Sequence, residues 1–82
     1  MADRRNAVDM LLEKERAEAL HRSIERLPRS LRTVTVLVGL REQPIREVAL
    51  LLRVSEGTVK KQLFVARSHL RRMMRAAGKT RV

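Results

Sequence analysis

The chain has 82 residues, a net charge of +10, and no Cys, Trp or Tyr. A chain this short buries only a modest core. It has no cysteine for disulfides or thiolate metal sites, and no apolar run near the roughly 18 residues that mark a membrane span. The excess charge is confined to one part: residues 1–27 hold six basic and six acidic side chains, whereas residues 28–82 hold thirteen and three. Such asymmetry points to a polyanionic partner on one side of the molecule.

Residues 3–27 read as a helix. Val8, Leu12, Ala19, Leu20, Ile24 and Leu27 form an imperfect apolar stripe, and acidic and basic residues alternate over the rest. Glu18 and Arg22 stand at the favourable i,i+4 spacing. This segment is expected to pack, with its first turns free to fray or to act as a linker or protein contact. Leu27-Pro28 then breaks the pattern, and Pro28 suits the start of a new helix. Residues 29–41 carry two competing signals. Thr33 to Val38 is β-branched apart from Leu37 and would suit a strand, yet Leu31, Val34, Leu37, Val38 and Leu40 also fit a helical stripe. Nothing else in the chain looks β, so a strand would have no partner, and a helix is expected with packing overriding propensity.

Gln43-Pro44 makes a second break. Ile45 to Arg53 reads as a short helix with Ile45, Val48, Ala49, Leu51 and Leu52 as its apolar set. Arg53-Val54-Ser55 is a three-residue turn into the next helix, and two helices joined in this way form a helix-turn-helix unit. Ala49 is small enough for a close crossing there. Ser55 is a good N-cap and Glu56 adds negative charge at the positive helix end. Val59, Leu63, Ala66, Leu70 and Met73 then recur at steps of four, three, four and three. At 100° per residue the opposite side carries Lys60, Lys61, Phe64, Arg67, Ser68, Arg71, Arg72 and Arg75. One face can bury itself while the other offers a row of cations to a charged polymer. The tail from Ala76 loses periodicity at Gly78 and is expected to fray. The fold class is therefore all-α: a four-helix domain, residues 1–82 with an ordered core of about 9–76, ending in a helix-turn-helix with a long basic recognition helix.

Leu27-Pro28, Arg32-x-Val34-x-x-Leu37, Glu47-Val48-Ala49, Leu52, Ser55-x-Gly57-Thr58-Val59-Lys60, Leu63 and Ala66-Arg67-x-x-Leu70-Arg71 together resemble region 4 of bacterial sigma factors. The nearest group is the small, extracytoplasmic-function type. The resemblance covers roughly residues 17–74. The Ser-Glu-Gly-Thr-Val-Lys block alone also occurs in regulators of the LuxR type; the blocks on either side of it favour the sigma family. The resemblance implies a four-helix domain whose last helix enters the major groove of the promoter −35 element. It also implies that the domain sits on the flap of the RNA polymerase β subunit and can be blocked by an anti-sigma factor. Carried over by position, Arg32 and Arg53 become phosphate contacts, and Ser55, Glu56, Thr58, Lys60 and Lys61 occupy the start of the recognition helix, where base and backbone contacts concentrate. Phe64 and Arg67 lie further along the same face. The flap surface is expected on the apolar rim of the first three helices.

The chain departs from the family pattern at three positions. Gln62 and Val65 stand where many members have Arg, and Arg53 stands where Gly is common in the turn, which implies a small strain if its φ is positive. Region 2, which binds the −10 element, has no counterpart here, so by this comparison the chain is an excised domain or a stand-alone protein with the region 4 fold.

Lysine and arginine provide non-specific affinity by releasing counterions, and five or six phosphate contacts give a slope of log K on log salt near about −5. Base discrimination must come from few residues: Lys60 or Lys61 can donate to guanine, Glu56 can accept from cytosine, and the Thr58 methyl can touch a thymine methyl. Ser55 and Glu56 could equally serve only as caps, and Thr58 only as a packed residue. Phe64 could touch thymine methyls, dock a protein partner, or pack on the first helix. Enzymatic activity is not expected: there is no nucleophile–base pairing, Gly-rich phosphate loop or carboxylate cluster, and no cofactor is implied. His21 and His69 are too far apart in sequence to suggest a metal site.

The leading reading is a transcription initiation factor domain, monomeric when free, that binds −35 DNA and RNA polymerase. Two others compete with it. One is a protein-interaction module whose main partner is an anti-sigma factor or other regulator, with weak DNA binding. The other is a dimeric LuxR-type effector domain. The start of the chain lacks the apolar core of a signal peptide, so a cytoplasmic, nucleoid-associated location is expected.

Overall fold

The computed structural model describes residues 4–79, all helices and connecting turns. Helix α1 spans Arg4–Glu25, α2 Arg29–Val34, α3 Ile45–Leu52 and α4 Glu56–Lys79. A π-helical segment, Thr35–Leu40, continues α2 without a break. Helix α4 is the axis of the fold: α1, α2 and α3 all pack against it.

Each boundary has a local cause. Leu27 N donates to Ile24 O at 3.1 Å, and Pro28 follows with ψ 148°, an extended residue that halts α1. Pro28 stands just before α2 rather than inside its first turn, and its carbonyl accepts from Arg32 N at 2.9 Å. Pro44 plays the same part for α3, with φ −60° and ψ 142°. The β-branched run from Thr33 to Val38 is helical, but it widens. Thr33 Oγ1 donates to Arg29 O at 2.9 Å and Thr35 Oγ1 to Leu31 O at 2.7 Å. Such bonds back to the preceding turn compete with the backbone ladder and bend helices. The carbonyls of the next turn take later amides instead: Arg41 N donates to Val36 O at 2.9 Å and Gln43 N to Leu37 O at 3.0 Å. Glu42, with φ 55°, then turns the chain in a left-handed position.

The core has two parts. Val34, Val48, Ala49, Val59 and Leu63 form the first, where α2, α3 and α4 meet, with Leu37, Val38, Ile45 and Leu52 against it. Val34, Val48 and Val59 are wholly buried, and each such side chain stabilises the fold by about 1.5–3 kcal/mol. Leu27, Leu31 and Ala66 form the second part, with Val65, Leu70 and Met73 packed on it. Of the stripe expected on α4, Val59, Leu63 and Ala66 are buried and Leu70 and Met73 are half-buried.

Two expectations about apolar residues are corrected. Val8 and Leu12 are exposed, together with Met10 and Leu11, so only the C-terminal half of α1 packs, through Ala19, Leu20, Ile24 and its neighbour Leu27. Leu51 is 64% exposed; α3 buries Val48 and Ala49, and at 100° per residue Leu51 falls on the outer side. Helix α4 carries on through Ala76 and Gly78 to Lys79, beyond its apolar stripe. Residues 80–82 lie outside the described residues.

Candidate nucleic-acid interface

The interface begins at the turn between α3 and α4. Arg53 has φ 58° and ψ 43°. Its N–H donates to Leu50 O at 3.3 Å, and Val54 N donates to Ala49 O at 3.0 Å. This pair of bonds is a Schellman motif, which closes a helix through one left-handed residue. Glycine takes that place without cost, whereas an L side chain there is strained. The motif reverses the chain in very few residues, so α3 and α4 cross closely over buried Ala49.

Ser55 opens α4. Its Oγ accepts from Thr58 N at 3.0 Å, and a second hydrogen bond joins Ser55 Oγ and Thr58 Oγ1 at 2.9 Å. One orphan amide of the first turn is thereby satisfied. Glu56 and Gly57 follow, both exposed. The first turn therefore presents an acidic side chain, a bare backbone and the exposed Thr58 in sequence.

Beyond the cap the open side of α4 is cationic. Lys60, Lys61, Arg67, Arg71, Arg72 and Arg75 are exposed, and Ser68 is half-buried, its Oγ donating to Phe64 O at 3.2 Å. From Lys60 to Arg75 the row runs about 22 Å along the helix at 1.5 Å per residue. Phe64 sits in the middle of this row and is 71% exposed. It does not pack on α1, which removes one of its three readings.

Arg32, on α2, is placed apart from that row. It is half-buried and its guanidinium donates to Glu25 O at 3.4 Å, at the end of α1, where a cation suits the helix dipole. Arg67 stands at the edge of the row and also lines an apolar groove of about 440 Å³ between α1, the π segment and α4. Leu20, Ile24, Val38, Leu63 and Leu70 supply its walls, and Glu42 adds an acidic side chain. The left-handed Glu42 had no signal in the sequence, since neither Gly nor Asn marks it. Of the other two positions that depart from the family pattern, besides Arg53, Val65 packs on the second core cluster, and Gln62 is half-buried.

A short helix-turn-helix with a capped, one-sided basic helix is a DNA-reading device in form. The sequence model of the family described as Sigma-70, region 4 matches residues 17–70, well over half of the chain. The chain belongs to the sigma-70 region 4 family. No curated protein and no solved structure matches the chain. The match begins within α1 and ends within α4, so it takes in both core clusters, the Schellman turn and the capped start of α4. Sigma-70 region 4 is a promoter-binding helix-turn-helix of transcription initiation factors, which act with RNA polymerase, and not a catalytic family. The exposed half of α1 before residue 17 lies outside the matched segment. Among the described residues no helix is long and apolar enough to cross a membrane.

Proposed function

We propose that the chain is a single domain that reads a promoter −35 element with the first turns of α4 in the major groove, in the manner of the extracytoplasmic-function group. The observation that carries this reading is the division of α4 into a buried stripe and an exposed cationic row behind a Ser55 cap. Lys60 and Lys61 reach base edges or flanking phosphates, and Glu56 and Thr58 sit where a helix start meets the bases. Ser55 holds the turn, while Arg53 and Arg67 contact phosphates on either side. Arg32, tied to Glu25 O, contributes from the end of α1 only if it leaves that carbonyl. Phe64 touches thymine methyls. RNA polymerase is engaged at the apolar groove walled by Leu20, Ile24, Val38, Leu63 and Leu70, which suits an apolar helix of the β flap.

Anisotropy titration against a −35-type duplex selected from a random pool, and against its scrambled version, tests this. The selected duplex is expected to bind at least tenfold more tightly, and Lys60→Ala with Lys61→Ala to erase the difference. Equal binding of both duplexes, lost at physiological salt, would leave only a non-specific electrostatic face.

A second reading rests on Phe64. An aromatic ring exposed in the centre of a cationic face also suits a protein that covers this face, such as an anti-sigma factor. In that case Phe64→Ala weakens the protein complex and leaves DNA affinity unchanged.

A further inference from the structure

The first half of α1 carries an apolar side that the fold leaves uncovered. Val8, Met10, Leu11 and Leu12 are all between 42% and 69% exposed. They precede the family match, which begins at residue 17. The radius of gyration is 15.5 Å, against roughly 12 Å for a compact domain of this length, so part of the chain stands clear of the body. A helix of about a dozen residues is marginal in water by itself.

The chain cannot cover this side from within. At 100° per residue, the stripe of Ala7, Val8, Leu11 and Leu12 is centred about 140° around α1 from Leu20, Ser23 and Ile24, which face the rest of the fold. The stripe therefore points away from α4, against which α1 packs.

The charges point to a second copy of the chain. Residues 28–82 carry the whole excess of ten positive charges, whereas residues 1–27 are balanced. Two copies thus repel through most of their surface but not through α1. Along one border of the stripe stand Asp9 and Arg16, both exposed. They are seven residues apart, hence nearly in line along the helix. In an antiparallel helix pair the same border of each helix faces that of the other. A twofold axis beside Leu12 then sets Asp9 of each copy opposite Arg16 of the other, which is the self-complementarity that an isologous contact requires. Leu11 and Leu12 of both copies meet at the axis.

We propose that the chain forms a weak antiparallel homodimer through the first half of α1, with Leu11 and Leu12 at the twofold axis and Asp9 paired with Arg16 of the second copy. Two to three helical turns bury less than the roughly 800 Å² a side of a standard interface. Half-buried Glu15 also falls on this face. Both features keep the affinity low. The expectation of a monomer then holds only for the dilute chain, in which this half of α1 is open to solvent. Because the second copy approaches the side of α1 away from α4, both cationic rows stay open. The inference rests on neither DNA reading nor a polymerase contact.

The test uses the full chain without DNA. Sedimentation velocity from micromolar to millimolar concentration is expected to show a reversible monomer–dimer equilibrium. Leu11→Ser with Leu12→Ser should abolish the dimer and leave the thermal midpoint of the dilute chain unchanged, since neither residue belongs to a core cluster. Asp9→Arg and Arg16→Asp should each weaken the dimer about three- to tenfold by setting like charges opposite each other, and the two together in one chain should restore it. Arg16→Asp lowers the net positive charge, so a merely electrostatic self-repulsion would make it associate more strongly. The chain has no cysteine, which allows a second check. Under mild oxidation Leu12→Cys should give a covalent dimer far faster than Leu51→Cys, although Leu51 is the more exposed position. A chain that stays monomeric throughout overturns the proposal and leaves the stripe to a different protein. A dimer that survives the double serine change, tighter association of Arg16→Asp, or equal cross-linking at the two positions also overturns it.

Discussion

Ser55 and Thr58 are joined twice, once from the Thr58 amide to Ser55 Oγ at 3.0 Å and once between their hydroxyls at 2.9 Å. The same residues that could face DNA therefore also hold the start of α4 in shape. Ser55→Ala is expected to cost about 1 kcal/mol of stability, the usual worth of an N-cap. Thr58→Val keeps the amide that Ser55 caps and should cost less. Urea denaturation of both variants measures this. Equal losses would mean that the hydroxyl pair, not the amide cap, holds the turn.

Arg53 should show opposite effects on folding and on binding. Its φ of 58° is strained for an L side chain. Arg53→Gly is expected to stabilise the fold by about 0.5–1 kcal/mol, the relief of the left-handed position less the added freedom of the unfolded chain. If Arg53 contacts a phosphate, the same change lowers the salt slope of DNA binding by about one. Thermal melts and a salt titration separate the two effects.

Two leucines that look alike in sequence should respond differently to truncation. Leu63 of α4 is buried in the first core cluster with Val34 of α2 and Val48 of α3, and Leu63→Ala should cost about 2–5 kcal/mol. Leu51, on the outer side of α3, should cost within about 0.5 kcal/mol. Chemical denaturation of the two variants checks the assignment of faces, and a large loss at Leu51 would contradict it.

Lys60→Ala and Lys61→Ala should each reduce the salt slope by about one and leave stability nearly unchanged, because both side chains are exposed. Affinities measured from low to physiological salt test the slope. A drop in stability instead would mean that these lysines support the fold.

The two halves of α1 should differ in dynamics. Residues before Ala17 expose Val8, Met10, Leu11 and Leu12, while Ile24 is buried against the rest of the fold. Amides of the first half should exchange with solvent far faster than those of residues 18–25. Uniform protection along α1 in native-state hydrogen exchange would show that the exposed half is covered in solution.

Much of the fold was legible because its signals are local. The two prolines, the Ser55 cap and the strict stripe on α4 fix where helices start and which side of α4 is buried. Those signals come from covalent geometry and from the helical period, and they need no knowledge of neighbours. The positions around Ser55 could be named as a site for the same reason, since cap, turn and cation row lie within one short stretch. Arg32 was harder: its attachment to Glu25 O depends on how α1 meets α2.

By itself, the sequence determined the all-helical class, the helix-turn-helix, the one-sided charge of α4 and the family resemblance. Only the tertiary structure decided that Leu51 and the first half of α1 stay in solvent, that Phe64 is exposed, and that α2 continues as a π segment. It also decided that Glu42 turns left-handed. An apolar stripe says that a face can be buried, whereas burial needs a second element long enough and near enough to cover it. Helix α4 meets that condition for Ile24 and for Val48, but for neither Val8 nor Leu51.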